Sequence, residues 1–306
     1  MVAWPRKNEH PNGADQRMQN ILYHANCADG FGAAYACWRS IQGAAETSYI
    51  PVQYGEQPPA MTDGSDLWIV DFSYPRETLI ELAARHNSVT VIDHHKTAAE
   101  QLFGLHGSLP NLYVVFDMEK SGAVMAWEYW FPSAPVPKLL AYIQDRDLWQ
   151  WKLPWSREFS AALAAAPQDF ESWEAIAHHV ESKESFEQFV SNGGLLLGER
   201  SLQVRRLATR VIFLDIEGHV VPTVNSPIHQ SEIGEELCIR YPEAPFSAVW
   251  SAILDKTTED ERPATTCLEV WSLRSRNGFD VSAVAESLGG GGHAAAAGFR
   301  RRREFW

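Results

Sequence analysis

Three segments in the N-terminal third of the chain share one plan, in which an apolar strand ends in polar side chains and leads into a helical pattern. The segments are "NILYHANCADGFGAAYACWRSI", "DLWIVDFSYPRETLIELAARH" and "SVTVIDHHKTA", which begin at residues 20, 66 and 88. Strand, polar turn and helix repeated in this order predict a parallel, doubly wound α/β sheet. Ligands of such sheets bind beyond the carboxyl ends of the strands, so the polar residues are expected to share one rim.

The polar residues at these strand ends are carboxylates and imidazoles. Burying such groups at the ends of apolar strands costs free energy unless they have hydrogen-bond partners or bind a cation. Oxygen and imidazole donors without paired thiolates suit Mn²⁺, Mg²⁺, Fe²⁺ or Co²⁺ better than a structural zinc. One carboxylate can bridge two ions, and two ions about 3.5–4 Å apart can activate water at a phosphoryl centre. The candidates are His24, Asp29, Asp71, Asp93, His94 and His95, with Asp145 reaching the rim from a helix.

Taken singly, each of these residues has an ordinary explanation. An aspartate after a strand often caps a turn, and an isolated histidine is more often a surface or core residue than a ligand. Turn chemistry does not require two histidines behind an aspartate, nor the same position at the end of several strands. The set as a whole therefore favours a site.

The rest of the chain predicts further helices and then a second domain. Helical patterns fill most of residues 117–208, and "RVIFLDIEGHVVPTVNS" predicts a β-hairpin. Helices near 231–241 and 280–288, with strands in "FSAVWSAIL" and "CLEVWSLRS", predict a smaller α/β domain. The expected organisation is a flexible tail over 1–19, a first domain over 20–190, a helical linker over 191–204 and a second domain over 205–306.

Composition limits the class of protein. A chain of 306 residues exceeds one ordinary domain. The net charge of −13 argues against a protein that coats long nucleic acid, although a metal in an acidic site still attracts small anions. Without a membrane-length apolar run or a secretory signal, a cytoplasmic location is expected. The four cysteines lack metal-knuckle spacing, and no disulfides are expected.

Five segments resemble, in order, the motifs of the DHH phosphoesterase family. "YHANCADGFGAA" is similar to the first motif, "IVDFS" to the second, "VIDHHKTA" to the name-giving third and "IQDRDLW" to the fourth. "GGGGHAAAAGF" resembles the glycine-histidine signature of the DHH-associated C-terminal domain. The resemblance covers about residues 20–300. It implies a two-domain enzyme with two Mn²⁺ ions in the N-terminal domain and a phosphate ester substrate in the cleft between the domains.

The resemblance also implies metal ligands, residue by residue. His24 matches a ligand of one ion and Asp29 a ligand of the other. Asp71 matches the carboxylate that bridges the two ions. His94 and Asp145 match further ligands of the second ion.

The same resemblance implies residues that act beside the ligands. His95 is similar to the histidine that faces the phosphate or supports the ligands, and Asp93 to the carboxylate that orients the imidazoles. Asp147 is either a helper or the partner of Arg146 or Lys152 in a helix-end ion pair. The implied catalytic residues are Asp71, Asp93, His94 and His95.

Cys27 departs from the family pattern. The first motif has two aspartates separated by one residue, and Cys27 stands in the place of the first, with the histidine one residue nearer. A thiolate ligand would shift the metal preference toward Zn²⁺ or Fe²⁺. Alternatively, Cys27 is a buried bystander and the first ion is bound more weakly.

The glycine run before His293 predicts an anion-binding loop. Consecutive glycines permit positive φ angles and close backbone approach, so their N–H groups can bind a phosphate. A flexible turn is the alternative. The basic run at 300–303 is interpreted as a solvated C-terminal tail rather than a phosphate site. The substrate-binding candidates are Arg274, Ser275, Gly290, Gly291, Gly292 and His293, and the alternative for Arg274 is a surface charge on a strand.

The sequence as a whole predicts a metal-dependent phosphodiesterase. Its expected substrate is a short oligonucleotide or linear dinucleotide, because an acidic chain without a broad basic face fits a small cleft. A nucleotide bisphosphate phosphatase and a RecJ-type single-strand exonuclease are alternatives with the same chemistry. A non-catalytic nucleotide-binding protein is the alternative from another class, supported by Cys27. A homodimer is compatible with each hypothesis.

Overall fold

The computed structural model describes residues 18–41, 46–254, 266–276 and 278–304. Most of the tail predicted over 1–19 lies outside the described residues. The chain divides into two compact units, Met1–Leu197 and Gly198–Trp306. The helix Lys183–Leu207 is continuous across this division, and the domain boundaries near 190 and 205 stay a prediction.

A parallel sheet forms the centre of the first unit. Its strands are β1 (Gln19–His24), β2 (Thr47–Val52), β3 (Asp66–Val70), β4 (Ser88–Asp93) and β5 (Leu112–Phe116). Their spatial order is β2-β1-β3-β4-β5, and every neighbouring pair is parallel. This confirms the predicted doubly wound α/β architecture. The two edge strands, β2 and β5, were not predicted, and Pro51 within β2 suits only an edge position.

Helices surround this sheet and continue beyond it. No helix in the described part of the chain is both long and apolar enough to cross a membrane. The helices are α1 (Ala28–Ile41), α2 (Arg76–Arg85), α3 (Lys96–Gln101), α4 (Gly122–Trp130), α5 (Lys138–Asp147), α6 (Ser156–Ala164), α7 (Phe170–His179) and α8 (Lys183–Leu207).

Successive strand residues enter two different cores. Val70 and Ile92 pack with α1 and α4 on one face of the sheet. Ile69 and Val91 pack with α2 on the opposite face. This period of two, buried on both sides, is why the strand sequences are almost continuously apolar. Asn20 and Thr90 are buried polar residues within the strands, whereas the carboxylates and imidazoles lie at the strand ends.

The second unit contains a mixed sheet. Its strands are β6 (Ile212–Ile216), β7 (His219–Asn225), β8 (Ser247–Leu254), β9 (Thr266–Arg274), β10 (Gly291–His293) and β11 (Ala296–Glu304), in the order β10-β11-β9-β8-β7-β6. Only the β7–β8 pair is parallel among these neighbours. The helices are α9 (Gln230–Arg240) and α10 (Val281–Ser287), and a 3₁₀ turn spans Ala208–Arg210. The predicted smaller α/β domain is confirmed.

The basic run at 300–303 is part of β11, which corrects its interpretation as a solvated tail. The run pairs antiparallel with β9. Arg301 and Arg303 donate to the buried carboxylate of Glu269 at 2.5 and 2.9 Å, and the indole N–H of Trp271 donates at 3.0 Å. Alternate residues of a strand share a face, so both guanidinium groups reach the same carboxylate.

Stability of the second unit is expected to depend on Glu269 and on pH. Burial alone would raise the pKa of Glu269, but the hydrogen bonds from Arg303, Arg301 and Trp271 outweigh burial and lower the pKa. A carboxyl with a lowered folded-state pKa stabilises the protein above its unfolded pKa of about 4.3, and this stabilisation disappears as the pH falls through the folded-state value. We expect Glu269→Gln to cost about 2 kcal/mol at neutral pH and much less in acid.

Amide exchange of β9 and β11, followed at neutral pH and in acid, measures this free energy locally. The exposed Glu243 provides the control variant Glu243→Gln. An equal loss of protection at both pH values for Glu269→Gln would contradict an ionised, arginine-bound carboxylate.

Candidate metal centre

The carboxyl ends of β1, β3 and β4 place the first three motifs at one rim. His24 is the last residue of β1, and Asp71 follows β3 directly. Asp93 is the last residue of β4, with His94 next. Asp71 has a φ of 62°, in the left-handed region that Asp and Asn tolerate better than most residues. The chain therefore turns sharply at Asp71 and leaves its carboxylate at the rim.

Asp71 lies at the centre of the cluster. Its Oδ1 is 3.0 Å from Nε2 of His94, and its Oδ2 is 3.4 Å from Nδ1 of His24. The side chain is 1% exposed, and Oδ2 makes no hydrogen bond with the described residues. Burial alone would raise the pKa of Asp71, but the contacts with His24 and His94 outweigh burial and hold it well below its usual range. The lowered pKa favours an ionised Asp71, whose two oxygens face two different imidazoles.

Asp29 is anchored by the N-terminus of α4. It accepts hydrogen bonds from the backbone N–H of Gly122 at 2.6 Å and of the next residue at 3.0 Å. The same carboxylate is 3.5 Å from Nε2 of His94. Burial, together with the negative charges of Asp71 and Asp147, raises the pKa of Asp29 well above its usual value. Asp29 is fixed in position, and a nearby cation would favour its ionised form.

Asp147, and not the predicted Asp145, brings the α5 carboxylate to the cluster. The carboxylate of Asp145 instead accepts from the backbone N–H groups of Lys152 and Leu153 at 2.9 and 3.2 Å. Oδ2 of Asp147 lies 3.6 Å from Nε2 of His94. Residues two positions apart on a helix differ by about 200° in direction, so only one of the two aspartates can face the rim. The contact with His94 therefore comes from Asp147, and the ligand role of Asp145 stays a prediction.

Asp93 orients both histidines of the third motif. Its Oδ1 accepts from the backbone N–H of His94 at 2.7 Å and lies 2.7 Å from Nδ1 of His95, while Ser73 donates to Oδ2 at 2.6 Å. Burial alone would raise the pKa of Asp93, but the contacts with His95, His94 and Ser73 outweigh burial and lower it. The hydroxyl of Tyr54 lies 3.0 Å from Nε2 of His95. The hydroxyl lies at the same 3.0 Å from Nδ1, so Asp93 and Tyr54 both contact the nitrogen atoms of the His95 ring.

Two groups of possible ligand atoms adjoin at Asp71 and His94. Within each group the atoms all lie within 4.8 Å of one another. The groups are His24, Cys27 and Asp71, and Asp29, His94 and Asp147; a further group consists of Asp71, Asp93 and His95.

Cys27 belongs to the first group but is protonated without a cation. Burial, followed by the charges of Asp71, Asp147 and Asp29, raises the pKa of its thiol well above the usual value. A bound cation inverts this effect, because a coordinating thiol loses its proton. The position of Cys27 is therefore compatible with a ligand.

The residues present fit divalent cations. Burial and neighbouring negative charge raise the pKa of Asp147. Burial alone would lower the pKa of His94, but the hydrogen bond with Asp71 and the nearby carboxylates outweigh burial and raise that pKa well above its usual value. The carboxylates of Asp29, Asp71 and Asp147 converge, and their negative charge is balanced by the imidazoles of His24 and His94. Oδ2 of Asp71 has no hydrogen bond with the described residues. Carboxylate and imidazole donors of this kind suit Mn²⁺, Fe²⁺ and related ions.

Two glycines allow the cluster to form. A Cβ at Gly122 would lie 2.6 Å from Oδ1 of Asp71, and a Cβ at Gly30 would lie closer still to the carbonyl oxygen of His24. Both contacts would be shorter than those of real Cβ atoms, so a larger residue would displace His24 or Asp71. Glycine is thus required here by close approach rather than by backbone angle.

Sequence reasoning did not identify Tyr54, and it chose Asp145 rather than Asp147 as the metal ligand. Tyr54 follows β2 closely, so the strand-end rule would have found it if β2 had been predicted. The sequence indicated Asp147 only as a helper or an ion-pair partner, because it does not show that the Lys152 and Leu153 amides bind Asp145.

The predicted glycine loop lies in the second unit and has a packing role. Gly291, Gly292 and His293 form β10, which pairs antiparallel with β11. A Cβ at Gly292 would lie 2.6 Å from the carbonyl oxygen of Ala296, and one at Gly290 would overlap the backbone of β11 even more closely. Two of the glycines are therefore needed for close contact with β11, and phosphate binding by this loop stays a prediction.

Arg274 and Ser275 make contacts within the same unit. Arg274 donates to the hydroxyl of Ser231 at 2.6 Å and to the carbonyl oxygen of Leu273 at 2.8 Å. Ser275 is buried, and its hydroxyl donates to the carbonyl oxygen of Phe279 at 2.6 Å. These bonds order the end of β9, and the phosphate-binding roles of both residues also stay predictions.

Comparison with solved structures decides the fold. The DHH domain of a member of a family of ribosomal proteins matches with a TM-score of 0.52 and 14% identity, over 95% of this chain and 84% of that one. The chain has the DHH fold. The motifs that place carboxylates and imidazoles at the rim therefore sit on a DHH scaffold, as their resemblance implies. No protein-family model matches the sequence.

Two further solved structures are similar to the DHH fold of this chain. The pGpG-specific phosphodiesterase PggH from Vibrio cholerae matches with a TM-score of 0.42 and 13% identity, over 93% of each chain. RecJ from Thermus thermophilus, solved in complex with Mn²⁺, matches with a TM-score of 0.47 and 16% identity, over 93% of this chain and 49% of that one. Both TM-scores are below 0.5, so the DHH fold is assigned from the first match.

A relative with higher identity comes from a virus. An uncharacterised protein of Acanthamoeba polyphaga mimivirus is 32% identical over 296 residues, which is 91% of this chain. The chain spans 66% of that relative's length.

Proposed function

We propose that the chain is a DHH-family phosphodiesterase that hydrolyses short oligonucleotides or linear dinucleotides with the help of two divalent ions, Mn²⁺ first among them. The observation that carries this proposal is the position of Asp71. One of its oxygens is 3.0 Å from His94 in one donor group, and the other is 3.4 Å from His24 in the adjoining group. A buried, ionised carboxylate between two donor groups is suited to bridge two ions.

The proposed ligands follow the two groups. His24, Cys27 and Asp71 would hold one ion, and the other would be held by Asp29, Asp71, His94 and Asp147. Bound ions would supply water activation and stabilisation of the negative charge on the phosphoryl oxygens. Mg²⁺, Fe²⁺, Co²⁺ and Zn²⁺ suit the same donor types, with the thiol of Cys27 favouring the softer ions.

The residues beside the ligands would position the phosphate. Asp93 holds Nδ1 of His95 at 2.7 Å, which fixes the ring orientation, and the hydroxyl of Tyr54 lies 3.0 Å from both ring nitrogens. His95 through a ring N–H, and Tyr54 through its hydroxyl, can each donate to a phosphate oxygen. Oriented donors of this kind favour the reaction because they need no rearrangement as charge develops.

The substrate and the cellular compartment are supported by composition. A net charge of −13 fits a short anionic substrate bound through metal ions better than a long strand bound by counterion release. The four cysteines are free thiols, which supports a reducing compartment such as the cytoplasm.

Hydrolysis of a 5′-phosphorylated oligonucleotide panel and of a nucleotide bisphosphate, each with Mn²⁺, tests the proposal. Mononucleotides released from dimers and short oligomers are the expected result. Release of inorganic phosphate from the bisphosphate, without cleavage of the oligonucleotides, would indicate a phosphatase instead of a phosphodiesterase. Processive degradation of long single strands would indicate a RecJ-type exonuclease. Binding of nucleotides without turnover under any divalent ion would favour the non-catalytic alternative.

The two aspartates of α5 provide a matched pair of variants. Asp147→Asn is expected to lower dinucleotide hydrolysis by about 10- to 50-fold, with partial recovery at raised Mn²⁺, because it weakens a proposed ligand. Asp145→Asn is expected to lower the melting temperature, since Asp145 binds two backbone N–H groups. Activity and melting curves of both variants separate the two roles. If the effects are exchanged, Asp145 is the ligand.

Cys27→Asp tests whether the thiol is a ligand or a bystander. If Cys27 binds a cation, replacing sulfur by oxygen should shift the preferred ion from Zn²⁺ or Fe²⁺ toward Mn²⁺, by about tenfold in the ratio of activating concentrations. Metal titrations of hydrolysis for the parent and the variant measure that ratio. An unchanged ratio in a variant that remains folded would make Cys27 a bystander.

A further inference from the structure

The first turn of α4 holds one of the proposed metal ligands. The backbone N–H groups of Gly122 and Ala123 donate to Oδ2 and Oδ1 of Asp29 at 2.6 and 3.0 Å. The first N–H groups of a helix have no acceptor within the helix, so a carboxylate at this end satisfies them. Asp29 is 1% exposed, and both of its oxygens take part in these bonds. The position of the Asp29 carboxylate therefore follows the position of the first turn of α4.

Gln144 binds the residue at which α4 begins. Ser121 precedes the helix, and its hydroxyl oxygen accepts from the backbone N–H of Val124 at 3.4 Å. The backbone N–H of Ser121 itself donates to Oε1 of Gln144 at 3.0 Å. Ser121 is buried, and a buried N–H that loses its acceptor costs free energy, because water cannot take the place of that acceptor. Gln144 thus holds the chain where it enters α4.

The same turn of α5 carries a second proposed ligand. Gln144 and Asp147 are three residues apart on α5, so their side chains extend from the same side of the helix. Oδ2 of Asp147 lies 3.6 Å from Nε2 of His94, and Oδ2 of Asp29 lies 3.5 Å from the same atom. One turn of α5 therefore supplies one carboxylate directly and is connected to the other through Gln144 and α4.

Packing of α4 against α5 does not require Gln144. Buried apolar residues of the two helices, among them Met125, Leu140 and Ile143, belong to one core. This core holds the helices together because it removes apolar surface from water. The hydrogen bond of Gln144 adds a fixed point at the start of α4, beside the Asp29 carboxylate. Loss of that bond is therefore expected to disturb the metal centre more than the fold.

We propose that Gln144 is a positioning residue for the ion that Asp29, His94 and Asp147 would hold. Its Oε1 fixes the start of α4, and the first two N–H groups of α4 fix the Asp29 carboxylate. The proposal rests on the proposed function in one respect, since that function supplies the ion. Gln144 acts through α4 and is not itself a ligand. Groups that hold metal ligands in place typically raise metal affinity by about 10- to 100-fold.

Two substitutions of Gln144 separate its acceptor oxygen from its size. Gln144→Met has a side chain of similar length without an oxygen, whereas Gln144→Glu keeps an oxygen that can accept from Ser121. Binding of Mn²⁺ to the metal-stripped full-length proteins is measured by calorimetry without substrate. Gln144→Met is expected to weaken the binding of one of the two ions about tenfold, and Gln144→Glu should stay within about threefold of the parent. Gln144→Asn, whose side chain is one methylene shorter, replaces Gln144→Met if melting curves show that the latter is unfolded.

Amide hydrogen exchange gives a readout that needs no metal. In Gln144→Met the amides of Gly122 and Ala123 are expected to exchange about tenfold faster than in the parent, because the first turn of α4 loses its fixed start. In Gln144→Glu these two amides should exchange as slowly as in the parent. A general loss of stability would instead speed exchange throughout the first unit.

Asn111 provides a control at the other end of the sheet. Its amide nitrogen donates to the backbone carbonyl oxygens of Ala83 and His86 at 2.8 and 3.0 Å, and it immediately precedes β5, at the end of that strand opposite the rim. Asn111→Leu should lower the melting temperature without changing the affinity for Mn²⁺. A loss of Mn²⁺ affinity as large as that of Gln144→Met would show that stability rather than position sets the affinity, and would overturn the proposal.

Two results with the Gln144 variants would also overturn it. One is a folded Gln144→Met with the parental affinity for both ions, or with parental exchange at both Gly122 and Ala123. The other is an equal loss of affinity in Gln144→Met and Gln144→Glu, because the acceptor oxygen would then not be the property that matters.

Failure of the proposed function is distinguishable from failure of this proposal. A parent that binds two Mn²⁺ ions but hydrolyses no dinucleotide contradicts the proposed function, while the affinities of the variants still decide the role of Gln144. A parent that binds no Mn²⁺ contradicts the proposed function, and the exchange of Gly122 and Ala123 then decides whether Gln144 positions Asp29. An active parent with two bound ions, and unchanged affinities in Gln144→Met, contradicts this proposal alone.

Discussion

Asp71→Asn is expected to lower dinucleotide hydrolysis by about 1,000-fold and to abolish tight binding of the second metal ion. The amide has almost the same shape but no charge, so it cannot balance two cations at once. The variant should still fold, because Asn tolerates the left-handed φ of 62° at this position. Loss of activity with an intact fold would identify the charge of Asp71 as the essential property.

The same strand offers a control for this substitution. Asp66 begins β3 at the opposite end from the rim and accepts a hydrogen bond from Ser88 at 2.7 Å. Asp66→Asn should therefore leave hydrolysis and metal stoichiometry close to those of the parent. Turnover of Asp71→Asn within a few-fold of the parent would rule out a bridging role for Asp71.

Gly122→Ala is expected to lower hydrolysis by about 100-fold, although it adds one methyl group to a residue that contacts no substrate in the proposal. The new Cβ would lie 2.6 Å from Oδ1 of Asp71. The N–H of Gly122 also holds Asp29 at 2.6 Å, so both carboxylates would be displaced together. Displacement of about 1 Å in a catalytic group can cost about two orders of magnitude in rate.

Gly198→Ala is the matched control for this variant. Gly198 lies on α8, and a Cβ there would meet nothing within 4 Å. The substitution should leave hydrolysis unchanged and slightly raise the melting temperature, since alanine favours a helix by about 1 kcal/mol over glycine. Full activity of Gly122→Ala would show that Asp71 can move without loss, which contradicts a fixed cluster.

Much of the site was predictable because apolar strands and polar strand ends are local sequence features. The two cores consist of apolar side chains, and the ionisable residues His24, Asp71 and Asp93 lie at the rim, where the strands end. Helix phase is a weaker signal. Asp145 and Asp147 both fit the fourth motif, and the choice between them depends on the amides of a turn that the sequence does not specify.

Other features depend on partners that are distant in the chain. In the sequence, the arginines of β11 resemble a solvated tail. Their partner, Glu269, precedes Arg301 by 32 residues and Arg303 by 34, so local sequence does not show the contact. The glycines before His293 suggest a flexible loop until β11 packs against them. Edge strands such as β2 are hard to recognise because they are less buried and less regular in sequence.

In the proposed phosphodiesterase, one carboxylate, that of Asp71, joins two metal ions. The most direct test is titration of the metal-stripped protein with Mn²⁺, with the bound metal counted and hydrolysis of a linear dinucleotide followed in the same samples. We expect hydrolysis to reach its maximum when about two ions are bound per chain. Saturation at one ion, or two bound ions with no hydrolysis of the dinucleotide, would contradict it.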